Sequence, residues 1–285
     1  MRLTDMTAVR SLLQKYDISP QKRYGQNFLI NENTVCRIAD AAGNENEEIG
    51  IIEIGPGIGT LTEKLAMRYQ KVVSIELDSG LLPVLAETLA EFDNVTILHA
   101  DALKTDFASL AESYFPGMRV AVCANLPYYI TSPIIMHLLA FGRVFESITI
   151  MIQKEVADRL LAAPGTPEYG AITAVCAYYA KTEKCFSVSA ANFIPPPKVT
   201  SEVIRMNLYR EPPVQCKSTE NLMRIIRGAF AKRRKTLVNS LAGETSNLTK
   251  SEIEEALVTL GYRADIRGEM LGLSDFAKIS DVIEL

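Results

Sequence analysis

The residues best suited to chemistry form the motif Asn125-Leu126-Pro127-Tyr128, which follows an apolar run at 120–124. The run has the length and composition of a buried strand. Pro127 restricts Leu126 to an extended backbone and so holds the Leu126 carbonyl in a fixed relation to the Asn125 side-chain oxygen. Two hydrogen-bond acceptors beside the Tyr128 ring suit a planar base that carries an exocyclic amino group. The competing interpretation is an ordinary turn after a strand.

A glycine loop, Gly55-Pro56-Gly57-Ile58-Gly59, lies between an apolar run at 49–54 and a helical pattern that begins at Thr60. A strand, a glycine loop and a helix in this order are typical of nucleotide-cofactor sites, because glycine lets the backbone approach a ligand closely. The spacing is G-x-G-x-G, whereas dinucleotide-binding proteins have G-x-G-x-x-G. The loop therefore indicates a nucleotide-like cofactor without choosing one.

Two acids follow the next two apolar runs: Glu76 ends the run at 72–76, and Asp101 follows the run at 95–98. A carboxylate accepts both hydroxyl protons of a ribose, and an acid can also accept a hydrogen bond from an adenine amino group. Each acid alone is equally well explained as a solvated strand end. Gly, Glu and Asp at three successive strand ends predict an adenosine-containing cofactor, either NAD or S-adenosylmethionine. The glycine spacing favours S-adenosylmethionine, and so does the Asn125 motif, which suits an amine and offers no hydride acceptor.

A cluster of cations lies between residues 221 and 243, with no acid between the first and the last of them. The whole chain carries a formal net charge of -4, so any nucleic-acid contact must come from a local patch. The alternative is a basic helix face that is simply solvated. We define the basic patch as Arg224, Arg227, Lys232, Arg233, Arg234 and Lys235.

Strand-like and helical patterns alternate up to residue 208, which predicts a doubly wound, mostly parallel α/β sheet. Two final strands without a helix between them predict an antiparallel strand at its edge. The predicted strands are 49–54, 72–76, 95–98, 120–124, 147–152, 183–188 and 201–208. Beyond a Pro-containing linker the pattern is only helical, at 219–231, 234–242, 250–260 and 273–283. The predicted domains are therefore 1–208, a linker at 209–217, and an all-α domain at 218–285.

Composition limits the class of protein. The length of 285 residues is typical of two domains, and 48% hydrophobic residues suffice for a sizeable core. The five cysteines form no C-x-x-C pair and only two histidines are present, so no zinc site is predicted and the thiols are expected to be reduced. The N-terminal residues lack the apolar core of a signal peptide, and no stretch has the length of a membrane span. We expect a cytoplasmic protein that does not associate with membranes.

Six motifs occur in order along the chain. They are residues 24–29 (YGQNFL), 53–57 (EIGPG), 75–78 (IELD) with Asp101, 125–128 (NLPY), 193–199 (FIPPPKV) and 230–237 (FAKRRKTL). With these motifs the chain resembles the bacterial small-subunit (16S) ribosomal RNA adenine N6-dimethyltransferases along nearly its whole length. The basic motif near residue 230 and a second domain of this length resemble the small-subunit enzymes more than the large-subunit macrolide-resistance methylases.

The resemblance implies a class I methyltransferase fold with S-adenosylmethionine as methyl donor. The implied substrates are two adjacent adenosines in a hairpin loop near the 3′ end of 16S rRNA, within the small ribosomal subunit or its precursor. Asn27, Leu29 and Gly55 would contact the methionine end of the cofactor, Glu76 its ribose and Asp101 its adenine. The predicted cofactor-binding set is Gln26, Asn27, Leu29, Gly55, Gly57, Glu76, Leu77, Asp101, Ala102 and Asn125. The predicted catalytic set is Asn125, Leu126, Tyr128 and Phe193, and the basic patch would bind RNA.

The expected mechanism is positioning. The adenine N6 lone pair is delocalised into the ring, and the oxygens of Asn125 and Leu126, by accepting its hydrogens, would favour a pyramidal nitrogen. Tyr128 and Phe193 would stack on the two faces of the extruded base. The alternatives are an adenine methyltransferase for large-subunit rRNA or DNA, and a non-catalytic assembly factor that binds immature small subunits. We expect a monomer, and a checkpoint role in ribosome biogenesis beside catalysis.

Overall fold

The computed structural model describes residues 2–18, 27–43, 48–244 and 248–285. The chain forms two compact units, and both are discontinuous in sequence. The first consists of Met1–Ala157 and Glu183–Leu208, and the second of Asp158–Thr182 and Tyr209–Leu285.

Seven strands form the main sheet. They are β2 (Ile49–Ile54), β3 (Lys71–Glu76), β4 (Val95–His99), β5 (Arg119–Asn125), β6 (Phe145–Gln153), β7 (Ala180–Val188) and β9 (Ser201–Leu208). Their order in the sheet is β4-β3-β2-β5-β6-β9-β7, with parallel pairing from β4 to β6 and antiparallel pairing between β6 and β9. The predicted mostly parallel, doubly wound sheet with an antiparallel strand is thus confirmed, but the antiparallel strand β9 lies one position in from the edge, beside β7.

The centre of the sheet is covered on both faces, so its strands are continuous apolar runs. Every residue of β2 is buried. The Phe115 ring packs where Gly50 has no side chain, since a Cβ at Gly50 would lie 2.0 Å from a ring carbon. The helices of the first part of the chain are α1 (Met6–Lys15), α2 (Glu32–Ala42), α3 (Thr60–Ala66), α4 (Leu82–Thr88), α5 (Phe107–Tyr114), α6 (Thr131–Ala140) and α7 (Lys154–Leu160).

A small two-stranded sheet pairs β1 (Phe28–Leu29) with β8 (Phe193–Ile194), antiparallel, with Leu29 opposite Phe193. The sequence patterns predicted neither strand. Each has only two residues, and the partners are far apart in the chain, so no local pattern reveals the pair. It joins two of the family-like motifs, residues 24–29 and 193–199, although 24–26 lie outside the described residues.

The second unit has its own core, built from α8 (Ala171–Tyr179), α9 (Thr219–Ala231), α10 (Leu237–Leu241), α11 (Lys250–Thr259) and α12 (Leu273–Ser280). The predicted domain boundaries differ from the compact units in two segments. Asp158–Thr182 groups with the C-terminal helices, and so does the predicted linker at 209–217. Val175 and Tyr178 of α8 belong to the same buried cluster as Leu222 and Phe276, and the Tyr178 hydroxyl lies 2.9 Å from Thr219 Oγ1.

Among the described residues, no helix combines the length and the apolar character needed to cross a membrane. Residues 2–18, 27–43, 48–244 and 248–285 also contain no group of three or more His, Cys, Asp or Glu side chains placed to hold a metal ion.

Candidate active site

The candidate site is a cleft at the carboxyl ends of the central strands. Chain order reverses between β2 and β5, since β3 and β4 continue to one side and β6 to the other. Open α/β sheets bind ligands at such a switch point. Gly55 directly follows β2, and Asn125 is the last residue of β5, so the two predicted motifs flank the switch point from either side. The cleft has a volume of about 1050 Å³, including the part open to solvent.

Most of the predicted cofactor-binding and catalytic residues line this one cleft. They are Asn27, Leu29, Gly55, Gly57, Glu76, Leu77, Asp101, Ala102, Asn125, Leu126 and Tyr128. The exceptions are Gln26, which lies outside the described residues, and Phe193.

The glycine loop turns sharply from β2 into α3. Gly55, Gly57 and Gly59 have φ angles of 70°, 61° and 91°, a backbone region that residues other than glycine rarely adopt. A Cβ placed on Gly55 would meet no atom within 4 Å. The loop therefore exposes bare backbone to the open space of the cleft, as a closely bound ligand requires.

Glu76 ends β3 beneath this loop. Its carboxylate accepts hydrogen bonds from the backbone N–H groups of Asp78, at 2.8 Å, and Gly57, at 3.4 Å. The side chain is only 6% exposed, and burial raises the pKa of the Glu76 carboxyl despite these bonds. A desolvated carboxylate in this position is suited to accept hydrogen bonds from the two hydroxyl groups of a ribose.

The adenine-side residues follow β4. Asp101 Oδ1 accepts a hydrogen bond of 2.9 Å from the Leu103 N–H, which fixes the carboxylate at the cleft wall. Ala102 is buried, while Leu77 is 44% exposed and presents an apolar side chain to the cleft. An acid flanked by small and apolar groups suits a flat heterocycle that carries an amino group.

The Asn125 turn is held from several sides. The Leu126 N–H donates to the Met151 carbonyl at 3.2 Å, and Thr131 Oγ1 donates to the Pro127 carbonyl at 3.2 Å. Asn125 Nδ2 donates to the Asn27 carbonyl at 3.4 Å. Because the amide nitrogen is directed at Asn27, Oδ1 is the atom of Asn125 that is left to accept a hydrogen from a substrate.

Tyr128 stands at the start of a short 3₁₀ turn, Tyr128–Ile130. Its hydroxyl lies 2.7 Å from Oγ of Ser201, a fully buried residue of β9. Burial raises the pKa of the Tyr128 phenol. The ring is therefore anchored at its far end and half-buried, and it lines the cleft in which a planar ligand would bind.

Phe193 does not line the cleft. Its ring is 3% exposed and belongs to the core cluster that contains Leu29, Val188 and Val203. The prediction that Phe193 stacks on the second face of the target base is therefore not supported by this arrangement, because the backbone pairing of β8 with β1 turns the ring into the core.

Sequence reasoning assigned no role to two residues of the cleft wall. Glu53 is 1% exposed, and its Oε2 accepts hydrogen bonds from Ser74 Oγ at 2.6 Å and Thr62 Oγ1 at 2.7 Å. Burial raises the pKa of the Glu53 carboxyl to about 7. Thr60 is 4% exposed, and its Oγ1 is buried without a hydrogen-bond partner among the described residues. The position of Glu53 in the strand that leads into the glycine loop, two residues before Gly55, is a sequence signal that could have identified it.

The basic patch lies in the second unit, and all six of its residues are exposed. Arg233 lies 3.5 Å from the Glu269 carboxylate and also donates to the Pro167 carbonyl. Arg227 Nε donates to the Met223 carbonyl at 3.1 Å. Glu269, which is distant in sequence, thus partly neutralises the charge of Arg233, and the sequence around the basic patch did not indicate this contact.

Comparison with known proteins identifies the family. The family model described as ribosomal RNA adenine dimethylase matches residues 19–265. The chain belongs to this family. The resemblance seen in the motifs is thereby confirmed, and with it the predicted enzyme class, an rRNA adenine dimethyltransferase. Family and fold are those of S-adenosylmethionine-dependent methyltransferases.

Relatives of this dimethylase family match over nearly the whole chain. The ribosomal RNA small subunit methyltransferase A of Geobacillus thermodenitrificans is 45% identical over 277 residues, covering 96% of this chain and 94% of the relative. The protein of that name from Clostridium botulinum is 44% identical over 274 residues, covering 96% of this chain and 98% of the relative.

Two solved structures confirm the predicted class I methyltransferase fold. A dimethyladenosine transferase from Plasmodium falciparum has a TM-score of 0.74 and 27% identity, and the match covers 88% of this chain and 95% of that one. The 23S rRNA methyltransferase ErmE has a TM-score of 0.67 and 26% identity, and the match covers 89% of this chain and 98% of that one.

Proposed function

We propose that this dimethyltransferase transfers methyl groups from S-adenosylmethionine to N6 of two adjacent adenosines in the 3′-terminal hairpin loop of 16S rRNA, giving N6,N6-dimethyladenosines. The observation that carries the proposal is the meeting, in one cleft, of the Asn125 turn with the glycine loop, Glu76 and Asp101. The small-subunit name shared by relatives at 45% and 44% identity supports the choice of rRNA.

The cleft suits S-adenosylmethionine in three respects. The empty space beside Gly55 admits a ligand against bare backbone, and Thr60 carries a buried hydroxyl without a partner among the described residues. Glu76 would bind the ribose hydroxyls and Asp101 the adenine amino group, with Leu77 and Ala102 beside the ring. Asn27, Leu29 and Gly55 would contact the methionine end. When bound, the cofactor supplies an electrophilic methyl group on a sulfonium centre.

The protein's contribution is to orient a weak nucleophile. Asn125 Oδ1 and the Leu126 carbonyl accept the two N6 hydrogens, which favours a pyramidal nitrogen with its lone pair directed at the methyl carbon. Neutral Asn is no base, so the proton passes to solvent water after transfer, once the nitrogen is cationic. Extruding the base costs a few kcal/mol, and stacking on Tyr128 returns roughly 1–3 kcal/mol. A pocket that still admits the monomethyl product allows the second transfer.

The basic patch would hold the rRNA of the small subunit or its precursor. Action in the cytoplasm as a monomer and a checkpoint role in small-subunit biogenesis remain predictions. The likeness to ErmE makes large-subunit rRNA the second candidate substrate.

The test is a methylation assay with 30S subunits, 50S subunits and duplex DNA, each lacking adenine methylation, followed by mass spectrometry of the nucleosides. We expect N6,N6-dimethyladenosine only in 30S rRNA, at two adjacent positions. Modification of 50S rRNA or DNA instead would refute the assignment. Isothermal titration with S-adenosylmethionine separates an enzyme from a scaffold, because a scaffold has no need to bind it.

A further inference from the structure

Glu53 lies just behind three residues of the candidate site. In β2 it pairs with Ser74 of β3 on one side and with Cys123 of β5 on the other. Side chains two positions apart on a strand point to the same face of a sheet, about 6–7 Å apart. Two positions beyond these paired residues, on the same face, stand Gly55, Glu76 and Asn125. An acid is thus placed directly behind the part of the cleft that the cofactor would occupy.

The carboxyl group of Glu53 is fixed in place. Its Oε2 accepts hydrogen bonds from two hydroxyls, Ser74 Oγ at 2.6 Å and Thr62 Oγ1 at 2.7 Å. The residue is only 1% exposed, yet it lines the cleft. With so little water around it, a charge on this carboxyl acts on a ligand in the cleft through a medium of low dielectric constant. Glu53 is therefore sensitive to the charge that such a ligand carries.

We propose that Glu53 is a specificity-determining residue for the cofactor, whose carboxylate stabilises the sulfonium of S-adenosylmethionine and so favours the methyl donor over S-adenosylhomocysteine. This inference rests on the proposed function, which makes S-adenosylmethionine the donor. Methyl transfer breaks the bond from sulfur to the methyl carbon and leaves a neutral sulfide, while the positive charge passes to the adenine nitrogen and leaves as a proton. A carboxylate behind the cleft attracts the donor more than this product, so exchange of product for donor is favoured.

The same attraction links cofactor binding to the proton of Glu53. Burial raises the pKa of this carboxyl to about 7, so the group is about half ionised near neutral pH. A bound cation favours the ionised form, so its binding releases a proton to solvent and becomes tighter as the pH rises.

Other titratable groups near Glu53 do not produce this difference between the two ligands. Glu76 faces Glu53 from β3, and it would bind the ribose that donor and product share. Cys123 faces it from β5, and burial raises the pKa of this thiol well above its ordinary value, so it stays neutral. On α3, Glu63 and Lys64 form an ion pair with each other at 2.7 Å. A change at Glu53 alone therefore isolates its contribution.

The experiment measures the Kd of S-adenosylmethionine and of S-adenosylhomocysteine between pH 5.5 and 8 by titration calorimetry. Wild type is compared with Glu53→Gln, and Glu91→Gln, an exposed glutamate outside the cleft, is the matched control. The preference for S-adenosylmethionine should rise with pH in wild type and Glu91→Gln, by roughly tenfold relative to Glu53→Gln. At pH 5.5 the three proteins should show similar preferences, because a protonated glutamate and a glutamine are both neutral.

Proton release is an independent measurement on the wild type. Calorimetry at pH 6.5 in two buffers of different ionisation enthalpy should show about half a proton more released with S-adenosylmethionine than with S-adenosylhomocysteine. Parallel pH profiles of the preference in wild type and Glu53→Gln, or equal proton release with the two ligands, would overturn this inference. If the wild type still dimethylated 30S rRNA, the proposed function would stand.

Two further outcomes also decide. An equal loss of affinity for both ligands at every pH in Glu53→Gln would show a purely structural role and overturn this inference. A wild-type protein that binds neither ligand would refute the proposed function and this inference together.

Discussion

Asn125 acts through geometry, because a neutral amide cannot remove a proton. Its Nδ2 is directed at the Asn27 carbonyl and its side chain lines the cleft, so Oδ1 can accept from a substrate amine. We expect Asn125→Ala to lower kcat at least about 100-fold, the scale of losing one preorganised polar contact to a reacting group. Binding to 30S subunits should stay within a few-fold. Single-turnover methylation and filter binding measure the two effects, with Asn192→Ala, outside the cleft, as the control. Full activity of Asn125→Ala would remove its proposed role.

Glu53 makes the stability of the protein depend on pH. Burial raises the pKa of its carboxyl from an ordinary value of 4.5 to about 7. Between these values the folded state binds a proton that the unfolded state has lost, so the free energy of unfolding falls as pH rises through this window. The total change from this group is roughly 3 kcal/mol. The pKa shift comes mainly from desolvation of the charged carboxylate. A neutral side chain that still accepts the hydrogen bonds from Thr62 and Ser74 should therefore abolish this pH dependence of stability.

Glu53→Gln is therefore expected to flatten the decline in unfolding free energy between pH 5 and about 7. Above the window, the variant should be more stable than the wild type. Urea unfolding at several pH values tests this, and Glu91→Gln, at an exposed glutamate, controls for the loss of one carboxylate. Parallel pH profiles of wild type and Glu53→Gln would show that the carboxyl does not titrate as described.

At the scale of elements, the turn from β2 into α3 allows the effect of a glycine substitution on stability to be distinguished from its effect on ligand binding. Gly55 and Gly117 both have positive φ, 70° and 75°, and a Cβ on either would meet no atom within 4 Å. Each Gly→Ala change should cost about 1–2 kcal/mol of backbone strain. Only Gly55→Ala also places a methyl group in the cleft, so it alone should weaken S-adenosylmethionine binding, by about tenfold or more. Thermal unfolding and titration calorimetry measure both effects; equal affinities in the two variants would place the cofactor elsewhere.

The elements also show where sequence patterns suffice. Long apolar runs such as β2 and β5 were predicted almost to the residue, because strands buried on both faces need continuous apolar side chains. Helices α4 and α5 were missed. Within them only Val84 with Leu85 and Phe107 with Leu110 are buried, so neither helix contains a full helical repeat of core positions.

The candidate site likewise contains features that the sequence predicts and features that depend on tertiary contacts. Glu76 and Asn125 end strands that the sequence shows clearly, so their meeting at one sheet edge could be predicted. The burial of Phe193 could not, because it follows from the pairing of β8 with β1, a contact between distant parts of the chain. The offset of Arg233 by Glu269 is likewise a tertiary contact.

For the whole molecule, RNA affinity should depend strongly on salt although the net charge is -4. Six engaged cations allow a log–log slope of roughly -4 to -5 for binding to 30S rRNA. The double change Arg234→Ala with Lys235→Ala should weaken binding and reduce the slope by about 1.5. The same loss of charge at Lys250 and Lys278, exposed residues outside the patch, should leave the slope unchanged. Filter binding across salt concentrations tests this; a salt-independent affinity would refute the role of the patch.

Because Asp158–Thr182 belongs to the second compact unit, it determines which fragments of the protein can be expected to fold. A fragment that ends at Leu208 retains α8 but lacks α9 to α12, whose side chains cover Val175 and Tyr178 in the intact protein. Uncovered surface of this kind promotes self-association. Severing the chain after its last strand is thus expected to yield insoluble material, and a shorter polypeptide that also omits 158–182 should be recovered more readily.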